Sequence, residues 1–203
     1  MTSSRRIGVM GGTFDPIHRG HRQVAEAVVD ALDLAEVIFV PAGDPWMKSP
    51  PQATAEHRLA MVLLAIQGDL RFTASRVDID RPGPTYAVDT LADLQATHPS
   101  VPGQPAQWSF IVGADALVDF SRWHDPERIL QLADLVGVTR PGHVLDPGDI
   151  PAERLTLLPV PSMDVASSEI RRRVSEGESI RHLVEPAVAD YIVEHGLYLE
   201  APR

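Results

Sequence analysis

Two imidazoles three positions apart, His18 and His21, close the glycine-rich run Gly11-Gly-Thr-Phe-Asp-Pro-Ile-His-Arg-Gly-His21. Before it, Ile7, Val9 and Met10 read as the end of a strand. After it, Val24, Ala27, Val28, Ala31 and Leu32 recur on one helical face. The run therefore lies where a strand turns into a helix. Adjacent glycines let backbone N–H groups approach a ligand, and a helix N-terminus offers unpaired donors and a favourable dipole to an anion. One helical turn puts both imidazoles on the same side, and Gly20 between them leaves room for a bulky group. The chemistry this suits is phosphate binding. The run is not a P-loop, because Gly20 is followed by His rather than Lys, and it lacks the third glycine of a dinucleotide fingerprint.

Other reactive side chains have plainer roles open to them. A His pair at this spacing also suits a metal, but no further His or carboxylate at ligand spacing completes a site nearby. His57, His98, His124, His143, His182 and His195 read as surface or helix-end residues. Trp123 is by default a core or interface aromatic. Arg171-Arg-Arg173 reads as a solvated helix face. Lys48 is the sole lysine among 18 Lys and Arg residues, which either marks a use for a compact ammonium or is an accident of composition.

The elements that position these residues alternate. Val37 to Val40, closed by Pro41, is the continuous apolar run of a strand buried on both faces. Leu59, Val62, Leu63 and Ile66 mark a helix stopped by Gly68, and Phe72 to Ile79 reads as a third strand. Val88, Leu91 and Leu94 suggest a helix, Trp108 to Val112 a fourth strand, Ile129, Leu130 and Ala133 a helix, and Leu135 to Val138 a fifth strand. Pro141, Gly142, Pro147, Gly148 and Pro151 crowd a surface loop. Leu155 to Val160 reads as a sixth strand, and Ser167 to Val174 and Pro186 to His195 as helices, the second with Pro186 in its first turn and Gly196 past its end. The expected fold is α/β: an open, doubly wound, mostly parallel sheet, Rossmann-like, with a small helical C-terminal part and ligands outside the carboxyl ends of the strands.

At 203 residues the chain is expected to form one domain, residues 1–203, and its 44% hydrophobic and 23% charged residues suit a folded soluble protein. The absence of cysteine removes disulfides, thiolate zinc sites and a thiol nucleophile. The longest apolar run, Leu59 to Ile66, is far short of the ~20 residues that cross a bilayer, so no membrane partner is expected. Gly11, Gly12 and Asp15 interrupt the N-terminal apolar stretch too early for a signal peptide, so a cytoplasmic location is expected. A formal net charge of −10 argues against nucleic acid as a partner and leaves small phosphates to local cationic pockets.

The first run resembles the H-x-G-H signature of the nucleotidylyltransferase superfamily, and in detail that of the bacterial nicotinate-nucleotide adenylyltransferases. The likeness extends over nearly the whole chain. Gly83-Pro-Thr-Tyr-Ala-Val-Asp-Thr90 resembles that family's acceptor segment, Gly113-Ala-Asp-Ala116 with Trp123 its ribose and pyridine region, and Arg140-Pro-Gly142 a further match. Ala166-Ser-Ser-Glu-Ile-Arg171 resembles the second phosphate motif, with Val165-Ala166 in place of Ile-Ser and Ser168 in place of Thr.

The resemblance implies transfer of the adenylyl group of ATP to nicotinate mononucleotide, giving nicotinate adenine dinucleotide and pyrophosphate. Direct in-line attack needs no protein nucleophile. A phosphate monoester, with its second pKa near ~6, is already largely anionic at pH 7, so alignment and charge stabilisation carry the rate. The implied catalytic residues are His18, His21 and Arg171. ATP falls to Gly11, Gly12, Thr13, Phe14, His18, His21, Gly113, Asp115, Ser167, Ser168 and Arg171. The acceptor falls to Asp15, Lys48, Thr85, Tyr86, Trp123 and Arg140, with main-chain N–H groups of Thr85 and Tyr86 on the pyridine carboxylate and Trp123 stacked on the ring. Mg²⁺ is implied as an ion carried mainly by the ATP phosphates, with no protein metal site. A homo-oligomer is compatible with the resemblance. The other readings are a different nucleotidylyltransferase, such as a pantetheine-phosphate adenylyltransferase, and a nucleotide-binding sensor without turnover.

Overall fold

The computed structural model describes residues 5–45, 50–98, 106–139, 148–161 and 165–199. Strand β1 (Arg5–Gly12) leads into helix α1 (Arg19–Leu32), which ends at Asp33 in the left-handed region with φ 51°. Strand β2 (Glu36–Pro41) is buried along its whole length. Helix α2 (Ala55–Ile66) starts where the Thr54 side chain accepts the His57 N–H, an ordinary N-cap. Strand β3 (Phe72–Ala74), the helical turn α3 (Val77–Asp80) and helix α4 (Ala87–Thr97) follow. Next come β4 (Ala106–Gly113), the short α5 (Ala114–Leu117), a 3₁₀ turn over Phe120–Arg122 and α6 (Pro126–Leu132). The remainder is β5 (Asp134–Thr139), a 3₁₀ turn over Ala152–Arg154, β6 (Leu155–Pro159), α7 (Ser167–Ser175) and α8 (Pro186–Glu194).

The six strands lie in the order β3-β2-β1-β4-β5-β6. Every neighbouring pair is parallel, so the sheet is wholly rather than mostly parallel. Side-chain alternation divides the core in two. Val37 and Phe39 of β2, with Ile111 and Val136, face α1, α2, α7 and α8. Ile38 and Val40, with Ile7, Val9, Phe110 and Leu135, face α4 and α6 through Val88, Leu91, Leu94 and Ile129. Each large apolar side chain buried in this way contributes about 1.5–3 kcal/mol relative to exposure. Among the described residues no helix is long and apolar enough to cross a membrane.

One element departs from the sequence reading. The strand expected from Phe72 to Ile79 ends at Ala74, and Val77–Asp80 forms a helical turn. The alternation Val77-Asp-Ile-Asp80 mimics a strand, but Asp78 is 1% exposed and its carboxylate needs partners. The turn brings it to Arg81 at 2.6 Å and to the Thr90 hydroxyl at 2.8 Å.

The strand order reverses between β1 and β4. Beyond β1 the chain passes to α1 on one face, and beyond β4 it passes to α5 and α6 on the other. The connections diverge, and the crevice between the two carboxyl ends is the switch point where an open α/β sheet binds ligands. Gly11 and Gly12 end β1 there, and Gly113 ends β4.

Candidate active site

The turn after β1 is held from below. Phe14, with φ 50°, is buried and sets its ring edge-on to His21 at 5.1 Å. A Cβ on Gly12 would lie 2.8 Å from the Phe14 ring, so glycine is required for this approach. The Asp15–Pro16 peptide is cis. Asp15 is 5% exposed and turns inward. Its carboxylate accepts the Gln52 N–H at 2.8 Å, the Ala53 N–H at 3.1 Å and the Tyr198 hydroxyl at 2.8 Å. The side chain assigned by resemblance to the acceptor is thus engaged with its own chain. Burial, and Asp15 beside it, hold the Tyr198 phenol well above its usual pKa.

His18 is the N-cap of α1, and its backbone N–H donates to His21 Nδ1 at 3.2 Å. Nδ1 is therefore the acceptor, and a neutral His21 carries its proton on Nε2 as a donor. The two rings stack with centroids 3.7 Å apart. Burial pushes the His18 pKa down to about 4, so its imidazole is neutral at pH 7. His18 Nδ1 is buried without a hydrogen-bond partner among the described residues.

The second motif closes on the same turn. Arg171 Nη1 donates to the Asp15 carbonyl at 2.6 Å and lies 3.8 Å from its carboxylate, while Arg171 Nε is buried without a hydrogen-bond partner among the described residues. Ser167 Oγ donates to the Pro16 carbonyl at 2.9 Å. Ser168 is exposed in the first turn of α7, and Ala166 at the N-cap supplies no side-chain bond. Arg172 and Arg173 instead pair with Glu169 and Glu178. Gly113 and Asp115 are exposed at the carboxyl end of β4. Lys48 and Arg140 lie outside the described residues.

At the carboxyl ends of β1 and β4 opens a cavity of about 180 Å³, lined by Gly11, Gly12, Thr85, Tyr86, Phe110 and Trp123 among others. Trp123 stands edge-on to Phe110 at 6.2 Å, with its Nε1 buried and without a hydrogen-bond partner among the described residues. His124 stacks on Tyr86 at 4.4 Å. Thr85 differs from expectation: its N–H donates to the Asp44 carbonyl at 2.8 Å, so that donor is already used. The bond belongs to a bridge between Asp44 and Pro84 that fixes the approach to α4. Helix α4 opens at Tyr86 with no side-chain cap bond; the Asp89 N–H turns back to the Tyr86 carbonyl at 3.1 Å, and the Ala87 and Val88 N–H groups precede that first helical bond. A larger apolar groove of about 310 Å³ between α7 and α8, lined by Val174, Ile180, Ala189 and Ile192, contains none of the motif residues.

The cytidylyltransferase-like family model matches residues 9–173. A protein of Acidothermus cellulolyticus named "Probable nicotinate-nucleotide adenylyltransferase" is 48% identical over 201 residues, covering 98% of this chain and 97% of that one. The chain belongs to the nicotinate-nucleotide adenylyltransferase family. A relative of the same name from Leifsonia xyli is 46% identical over 97% of this chain and 95% of its own. Nicotinic acid mononucleotide adenylyltransferase of Plasmodium falciparum, solved with NaAD, superposes with a TM-score of 0.75 at 22% identity, covering 96% and 97% of the two chains, and shares the fold.

In this adenylyltransferase family member, four residues near the site have no site role in the sequence reading, His124 being read there as a surface or helix-end residue. Arg58 sits with Val62 and Ala65 on the buried stripe of α2, a spacing that was visible, and is 1% exposed. His124 adjoins Trp123. Asp78 lines the cavity through contacts made only after folding, and Tyr198 reaches Asp15 across 183 positions.

Proposed function

We propose that this chain transfers the adenylyl group of ATP to nicotinate mononucleotide, giving nicotinate adenine dinucleotide and pyrophosphate for NAD biosynthesis in the cytoplasm. The observation that carries the reading is that the turn after β1 joins two half-sites: Gly11 and Gly12 line the aromatic cavity of Tyr86 and Trp123, and Phe14 packs from Gly12 to the stacked His18–His21 pair. The names of the curated relatives agree with it.

The triphosphate lies across the N-terminus of α1, where backbone donors and helix dipole favour an anion. Gly11, Gly12, Thr13 and Phe14 line its approach, Gly113 and Asp115 take the adenosine side, and Ser167, Ser168 and Arg171 take the β- and γ-phosphates. A non-bridging acceptor oxygen attacks the α-phosphorus as the bond to the bridging oxygen breaks, and pyrophosphate departs with that electron pair. His21 Nε2–H donates to the α-phosphate oxygen on which charge grows. His18, neutral through burial, supplies a donor without the repulsion of two stacked imidazolium rings.

On the acceptor side Trp123 stacks on the pyridine ring. The uncapped N-terminus of α4 faces the pyridine carboxylate, with Thr85 placing that terminus through Asp44. Mg²⁺ bound through the ATP phosphates would lower their negative charge. The donor set fits an ion so carried, because Asp15, the carboxylate within the turn, has both oxygens engaged.

Pyrophosphate release decides between acceptors. ATP with nicotinate mononucleotide should release it at a rate that ATP alone does not approach. Faster release with phosphopantetheine would assign a different acceptor, and ATP binding without release under any acceptor would mean a sensor.

A further inference from the structure

Arg58 is a full-length cation with 1% exposure, placed on the apolar face of α2. A buried charge is costly unless its donors are satisfied. Here every acceptor is a main-chain carbonyl: Nη1 donates to Thr13 at 2.7 Å, Nη2 to Gly43 at 3.3 Å and Nε to Ala53 at 3.3 Å. Burial lowers the pKa of the guanidinium, and Asp15 and Tyr198 oppose that shift through space.

The three carbonyls belong to different parts of the site. Thr13 lies in the turn that meets the triphosphate. Gly43 precedes Asp44, whose N–H donates to Thr85 Oγ1 at 3.2 Å and whose carbonyl accepts the Thr85 N–H at 2.8 Å. Thr85 lines the acceptor cavity at the start of α4. The loop has no slack at Gly43, where a Cβ would fall 2.1 Å from the Asp78 carbonyl. A rigid planar fork thus spans from the nucleotide turn to the segment that carries the acceptor pocket.

We propose that Arg58 is a positioning residue that sets the spacing of the two substrates, holding the Thr13 turn and the Gly43–Asp44–Thr85 segment at the separation that in-line attack requires. This rests on the adenylyl-transfer reading above. Misplacement of reacting groups by about 1 Å costs on the order of 100-fold in rate, so a residue remote from both substrates controls turnover through distance alone.

Arg58→Lys keeps the charge and most of the stem but cannot span three carbonyls. In folded enzyme it should lower kcat by roughly tenfold or more and raise KM for both ATP and acceptor. Arg58→Ala should regain part of its kcat in millimolar ethylguanidinium at a temperature where the variant is already fully folded without it, so that the gain is not one of stability. Thr85→Val removes the Asp44 N–H to Thr85 Oγ1 bond and keeps the main-chain one, so it loosens the far link only: it should raise the acceptor KM and leave that for ATP level. Combined with Arg58→Lys, it should be non-additive for the acceptor. The proposal is overturned if folded Arg58→Lys keeps all three constants within about twofold of wild type, or if Thr85→Val leaves the acceptor KM unchanged. Failure of both Arg58 variants to fold leaves that second criterion decisive. Wild-type enzyme in the same assay separates the two claims. No dinucleotide from wild type retires the function, whereas wild-type turnover with unaltered variants retires the role of Arg58. Calorimetric titration of ATP reads the nucleotide half in either case.

Discussion

The backbone N–H of His18 donates to Nδ1 of His21, and the two rings stack at 3.7 Å. This fixes the neutral His21 tautomer with its proton on Nε2 before any substrate arrives. Such a preorganised donor is worth most when charge develops beside it. His21→Ala should therefore lower kcat by roughly 100-fold or more, with a smaller loss in ATP affinity. Single-turnover rates and calorimetric ATP titration of the folded variant check this, and a near-normal kcat would remove His21 from the chemistry.

Arg171 and Arg173 lie two positions apart and face different partners. Arg171 bonds the Asp15 carbonyl in the turn after β1, while Arg173 pairs with Glu169 at 2.8 Å and Glu178 at 3.3 Å. Arg171→Ala should raise KM for ATP and slow turnover together. Arg173→Ala loses partly exposed ion pairs, a matter of about 1 kcal/mol or less in stability. Equal kinetic losses at the two positions would point to helix packing instead of polyphosphate contact.

His18 makes acid stability a readout of the site. Burial lowers its folded-state pKa from 6.5 to about 4. Between those values the unfolded chain binds the extra proton, so stability rises with pH across the window and is complete above 6.5. Wild type should therefore lose up to about 3 kcal/mol more than His18→Asn as pH falls from 6.5 toward 4. Urea unfolding of both proteins at pH 7 and pH 4.5 measures the difference. Parallel losses would mean that His18 titrates as an exposed imidazole.

The strand, glycine turn and helix around the histidines were legible because period-2 and period-3.6 patterns meet at Gly11-Gly12. What escaped was set by distant partners. Val77-Asp-Ile-Asp80 alternates like a strand until Asp78 is seen to need Arg81 and Thr90. Thr85 looked like a free donor because nothing nearby in sequence announces the Asp44 carbonyl, 41 positions away. Asp15 has the charge of a ligand-binding residue, and only the folded chain delivers Tyr198 and the Gln52 and Ala53 amides to it. Arg58 shares the stripe of Val62 and Ala65, but an arginine there reads by default as a head group that reaches solvent.

Trp123 stands in the cavity beside Tyr86 and Phe110 rather than at the turn of the histidines. Its truncation to Ala should weaken acceptor binding by about 1–3 kcal/mol, the scale of base–aromatic stacking, and leave KM for ATP nearly level. Steady-state kinetics with each substrate varied in turn tests the assignment. A loss confined to ATP would mean that the two substrates are exchanged between the half-sites.

The choice of acceptor rests on the uncapped start of α4 beside that cavity. A carboxylate accepts hydrogen bonds at both oxygens and is drawn to the helix dipole, whereas an amide turns an NH₂ donor toward N–H groups. An unsatisfied buried donor costs about 1–3 kcal/mol, roughly 10- to 200-fold in kcat/KM. A single competition reads this directly: nicotinate and nicotinamide mononucleotides at equal concentration, with ATP and Mg²⁺, and the two dinucleotide products quantified early in the reaction. The account predicts the acid dinucleotide in roughly 10- to 200-fold excess, with one pyrophosphate per dinucleotide. Equal amounts of the two products, or pyrophosphate without either, would contradict it.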